Sequence, residues 1–123
     1  MRHPQVVVYE ADGRLAALLR PLAQERRWAL REPRRAETVL EHLSGGGPAV
    51  LVLRVGRDLE REMILLERAA WLYPAARAVV VAEVEQARLV GLAWDLGASF
   101  VLAPPQPRER LAELVAGLMG DGD

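Results

Sequence analysis

Short contiguous apolar runs alternate along this chain with longer stretches in which apolar residues recur every three or four positions. The runs lie in Gln5–Tyr9, Ala49–Val55, Arg77–Ala82 and Ser99–Leu102, with a weaker one at Trp28–Glu32. β-branched residues crowd them, as in the Val6-Val7-Val8 run, and that favours strands. Ala49–Val55 is apolar on both faces, with Arg54 its only charge, as expected of a central parallel strand covered by helices on both sides. The periodic stretches are Arg14–Arg27, Arg35–Leu43, Asp58–Leu72, Glu83–Leu96 and Arg108–Met119. Each places its apolar residues on one helical face, as Leu15, Leu18, Leu19 and Leu22 do in the first.

Turn residues punctuate the pattern. Asp12 is placed to cap the first helix, and Pro21 should kink it. Ser44-Gly45-Gly46-Gly47-Pro48 ends the second helix, Pro74 the third and Gly97 the fourth. Residues 119–123 read as a flexible polar tail. Strand and helix thus alternate five times, which predicts right-handed crossovers and one three-layer α/β domain over residues 1–123.

Composition narrows the chemistry. Apolar residues make up 51% of the 123 positions, enough for one core. The net charge is −1, with no basic footprint for nucleic acid or an anionic membrane. The Arg26-Arg27 and Arg34-Arg35 pairs read as solvated ends of elements. There is no cysteine, which removes disulfides, thiolate metal sites and cysteine nucleophiles. All 16 basic residues are arginine, so no lysine can form a Schiff base or serve a phosphate loop. His3 and His42 are the only histidines, and no His/Asp/Glu cluster has metal-ligand spacing, so no metal or cofactor is expected. Gly45–Gly47 precedes a strand, the wrong context for a phosphate cradle. No apolar run approaches the ~20 residues of a membrane span, and no charged segment followed by an apolar one marks a secretory leader, so the expected setting is the cytoplasm. Trp28, Trp71 and Tyr73 read as packing residues, and His42 as an exposed helix residue.

The chain resembles the receiver domains of bacterial response regulators over about residues 4–119. Val6–Leu15 is similar to a receiver's first strand and acidic loop, and Leu51–Val55 to the third strand, which normally ends in the phosphorylated aspartate. Gly97-Ala98-Ser99-Phe100-Val101-Leu102-Ala103-Pro104-Pro105 resembles the family's Gly-Ala-Asp-Asp-Tyr-x-x-Lys-Pro stretch. The resemblance implies a flavodoxin-like sheet of order 2-1-3-4-5, a site at the carboxyl ends of strands one and three, and a cis bond at Pro104-Pro105.

The departures fall on that site. Glu10 and Ala11, with Asp12 just beyond, stand where the family's two Mg²⁺-binding acids would be. Arg54 stands for the acceptor aspartate, Ala82 for the hydroxyl after strand four, and Pro104 for the lysine. The switching aromatic falls on Val101, with Phe100 one place earlier on the opposite face. A guanidinium carries only donors and stays cationic, so it cannot receive a phosphoryl group here. Arg54 is expected to pair with Glu10, Asp12 or both, replacing Mg²⁺ as the pocket's positive charge. Trp94 and Phe100 are candidate interface anchors, where the family often dimerises, and packing under a helix is the alternative for Phe100.

The leading functional expectation is a degenerate, phosphorylation-independent receiver that binds another protein or a second copy of itself. A module holding an anion or small ligand in the crevice near Arg54 is the alternative. An enzyme ranks last, because nucleophiles are almost absent.

Overall fold

A computed structural model describes residues 3–83 and 85–120. Its elements are β1 (Gln5–Tyr9), α1 (Arg14–Arg26), β2 (Ala29–Arg31), α2 (Ala36–Ser44), β3 (Ala49–Val55), α3 (Leu59–Leu72), β4 (Arg77–Ala82), α4 (Ala87–Asp95), β5 (Phe100–Leu102) and α5 (Arg110–Met119). The strands are parallel and ordered β2-β1-β3-β4-β5, the flavodoxin-like arrangement expected from the sequence.

Side-chain alternation along the strands builds two cores. Val6, Val8, Val50, Val52, Val79 and Val81 pack with α1 and α5 on one face. Val7, Leu51, Leu53, Val55, Val80 and Ala82 pack with α2, α3 and α4 on the other. Contiguous valines therefore feed both layers at once, which is why the central strands carry no polar face. Val101 joins the second cluster and Phe100 the first, so the two sit on opposite faces of β5 as the alternation requires.

Several boundaries differ from the sequence expectation, each for a local reason. Asp12 is not the cap of α1. That position is Gly13, in a left-handed conformation at φ 78°, and Asp12 instead accepts the Arg14 N–H at 3.1 Å. α1 runs on through Pro21, which lies on its exposed side, and stops at Arg27, whose left-handed φ of 60° turns the chain. β2 is three residues long because it is an edge strand bonded to β1 alone. α3 starts at Leu59, one residue later than the periodicity suggests, and the buried Glu62 accepts the N–H groups of Gly56 and Asp58 ahead of it at 2.8 and 3.2 Å.

α4 begins at Ala87, not Glu83, and α5 at Arg110, not Arg108. The residues thereby left outside the helices include two that shape the site. α5 extends to Met119, so that residue is helical. Gly120 follows it as the exposed C-cap, and residues 121–123 of the expected tail lie outside the described residues. His42 is half-buried rather than exposed. Its carbonyl accepts Gln5 Nε2 at 2.8 Å, and burial, with Arg31 nearby, pushes its imidazole pKa down. Trp28 is half-buried, with the Arg26 guanidinium 5.7 Å over its ring. Trp71 does not pack: it is 83% exposed. The Pro104-Pro105 bond is cis, as the resemblance implied.

Candidate functional site

The parallel register assembles the site. Tyr9 is level with Leu53, so Glu10 and Arg54 are the next step up on neighbouring strands and share the α1-side face. Val55 is level with Ala82, which brings Glu83 to the same rim. The β1–α1, β4–α4 and β5–α5 connections converge there, above the carboxyl ends of the strands.

Arg54 holds these connections together. Its Nη1 donates to Asp12 Oδ2 at 2.7 Å and its Nε donates to Glu83 Oε2 at 2.8 Å. Its Nη1 also lies 3.9 Å from Glu10 Oε1, an ion pair without a hydrogen bond. Arg108, ahead of α5, donates through Nη2 to Glu83. The result is a chain of opposite charges, Asp12–Arg54–Glu83–Arg108, running across the top of β1, β3, β4 and β5. The Arg54 side chain is only 18% exposed. Burial pulls its pKa down, but the carboxylates of Glu83 and Asp12 outweigh that and raise it.

Glu10 does different work. Its side chain is 2% exposed, and its two oxygens each accept a backbone N–H of α1, from Leu15 and from Ala16, both at 2.9 Å. A carboxylate at a helix N-terminus satisfies orphan donors and meets the positive end of the helix dipole. Both the pairs expected of Arg54 are present, with Asp12 the close one. Glu83 and Arg108 were missed because the apolar spacing of α4 and α5 was extended too far toward the N-terminus. The available signal was an acid just beyond a strand end that neighbours a charged strand end.

The remaining site positions fall as follows. Ala11 is exposed on the loop, Ala82 is buried in the β4 core, and Pro104 is half-buried at the cis bond. A hard divalent cation does not fit this arrangement. It would need the oxygens of Glu10 and Asp12, and those are committed to helix N–H groups and to a guanidinium already occupying the charge position. Among the described residues no three His, Asp or Glu side chains form a metal-binding group. A cavity of about 400 Å³ lies at the opposite end of the sheet, lined by residues such as Leu51, Ala70, Pro74, Ala78 and Gly97.

The charge chain sets a pH response. The Arg14 N–H and the Arg54 guanidinium hold the Asp12 carboxyl at about 2, and the Arg54 hydrogen bond lowers Glu83 as well. Both folded-state values lie below their ordinary ones, so the folded form binds these protons less tightly than the unfolded form. Their contribution is complete above roughly pH 6, where both ordinary carboxyls are fully ionised, and is lost as the pH falls toward 2. Thermal melts across that window should show a falling Tm, with a flatter acid limb in Asp12→Asn.

The candidate interface residues also meet. The Trp94 and Phe100 rings stand edge to face, with centroids 6.0 Å apart, and the Arg110 guanidinium lies 5.9 Å over Phe100. Trp94 is 45% exposed while Phe100 is half-buried, so this cluster wraps the open edge of β5.

A parallel sheet of this order with a helix after each strand is the fold of CheY-like response-regulator receivers. A response regulator from Thermotoga maritima superposes with a TM-score of 0.78 at 16% identity, covering 96% of this chain and 98% of that one. The CheY-like receiver domain protein of Methanospirillum hungatei gives 0.77 at 14% identity, over 98% and 96%. A chain described as a candidate pilus assembly protein (CpaE) from Burkholderia thailandensis gives 0.70 at 19% identity, over 95% and 98%. At these identities the likeness is one of fold. No family model and no curated protein matches the sequence. Among the described residues no helix is long and apolar enough to cross a membrane.

Proposed function

We propose that this chain is a receiver-like regulatory module of the cytoplasm that is not an enzyme, works without phosphorylation and acts by binding another protein. One observation carries the reading. Arg54 donates to Asp12 and Glu83 from the position that the resemblance gives to the phosphoacceptor, so the loops that a phosphoryl group would draw together are already tied by a fixed cation. A group that stays charged at all physiological pH gives the site no second state to switch to. The Trp94–Phe100–Arg110 cluster is the proposed contact surface, for a partner or a second copy, because it combines an exposed aromatic with a cation at an open strand edge. The anion-binding alternative is weaker: Nε and Nη1 of Arg54 are already bonded to carboxylates, and Arg108 is paired with Glu83.

Amide hydrogen exchange tests the reading. Adding Mg²⁺ with a small acyl phosphate should leave protection of the β1–α1, β3–α3 and β4–α4 connections unchanged. Increased protection there would contradict it, and increased protection with inorganic phosphate alone would favour the anion-binding alternative.

A further inference from the structure

α3 carries on its outer side an exposed stripe of charged and apolar residues. Leu59-Glu60-Arg61 recurs seven residues later as Leu66-Glu67-Arg68, so Glu60, Arg61, Glu67 and Arg68 line one side of the helix. Ile64 sits midway between them and is 49% exposed; Trp71, one heptad on, is 83% exposed. The inner side, with Met63, Leu66 and Ala69, is buried against the sheet.

The charges on this stripe are not arranged for the helix itself. Glu67 and Arg68 have no opposite charge three or four residues away, the separation at which side chains on a helix meet. Among the described residues Glu60, Glu67 and Arg68 form no ion pair, and Arg61 makes only an exposed one with Asp58 at 3.5 Å. The order is instead complementary to its own reverse. When a second copy of α3 is laid antiparallel with Ile64 on the two-fold axis, Glu60 faces Arg68, Arg61 faces Glu67, and Ile64 meets Ile64. The same register sets Arg57, exposed just ahead of the helix, against the indole of Trp71, a cation–π geometry.

We propose that α3 is a homodimerisation face, pairing antiparallel with the α3 of a second copy of this chain about a two-fold axis at Ile64. Such an interface is isologous: each contact occurs twice. A 14-residue helix is about 21 Å long, so the contact belongs with small, concentration-dependent interfaces and not with obligate ones. The charge order fixes register and orientation, and the exposed indole supplies the apolar anchor. This face is separate from the Trp94–Phe100 cluster and does not depend on the reading of the Arg54 site.

Sedimentation equilibrium of the purified chain and two charge-reversal variants tests the proposal. The wild-type chain should show a reversible monomer–dimer equilibrium. Glu60→Arg/Glu67→Arg makes the charged stripe wholly basic and Arg61→Glu/Arg68→Glu makes it wholly acidic. Each should weaken self-association by at least about tenfold, and an equimolar mixture of the two should restore dimers. All four side chains are exposed, so circular dichroism should show both variants folded. The chain has no cysteine, so Ile64→Cys introduces a single thiol on the axis, and oxidation should give a covalent dimer where Glu25→Cys on α1 does not. A wild-type chain that stays monomeric at high concentration would overturn the proposal. So would dimers that persist in both reversals, or a mixture that fails to reassociate.

Discussion

Gly97→Val is expected to destabilise the protein by about 3 kcal/mol or more. Gly97 adopts a φ of +115°, which side chains with a Cβ rarely enter, and a Cβ built there would lie 2.5 Å from the Ala70 Cβ. The substitution therefore strains the backbone and drives the α4–β5 connection into α3. Neither neighbour yields cheaply, because Ala70 is already the smallest side chain and belongs to helix backbone packed on the sheet. For a domain of this size the Tm should fall by roughly 10 °C or more, measurable by calorimetry. Gly97→Ala should show a smaller loss of the same sign.

Arg54→Ala is expected to cost about 1–2 kcal/mol, a fall in Tm of roughly 5 °C. The loss comes less from the missing attraction than from what remains. Glu10, Asp12 and Glu83 would lose the cation they share: Glu10 would keep the α1 amides, Asp12 only the Arg14 N–H and its exposed guanidinium, and Glu83 only Arg108. The figure is kept modest because the Asp12 and Glu83 side chains are more than a third exposed, where water screens repulsion. Arg54→Lys should recover only part of the loss. An ammonium is a point charge and cannot reach Asp12 through one nitrogen and Glu83 through another. A double-mutant cycle with Glu83→Gln isolates the shared term.

The fold was legible because strand and helix periods alternate cleanly. The valine runs fix buried strands, and their side-chain alternation divides the molecule into its two cores. The heart of the site was legible too, since Arg54 is the only charge in the most apolar strand and Glu10 and Asp12 follow the first one. Glu83 and Arg108 were not, because local helix propensity cannot reveal that a preceding residue is held in a loop by a tertiary ion pair. The backbone N–H groups that Glu10 and Glu62 accept were hidden for a related reason. A glutamate that accepts backbone N–H groups of a neighbouring turn has the same sequence signature as a solvated one. Trp71 went the other way: aromatic residues usually pack, and only the helix orientation reveals that this one faces water.

The proposed function turns on residue 54, which the receiver resemblance makes the phosphoacceptor position and which here is a guanidinium bonded to Asp12 and Glu83. Intact-mass spectrometry after prolonged incubation with acyl phosphate and Mg²⁺ probes that substitution directly. The expected spectrum is that of the unmodified chain at every time point. A phosphoryl adduct that peptide mapping places on Glu10, Asp12 or Glu83 would show that the pocket retains the chemistry the arginine is held to exclude.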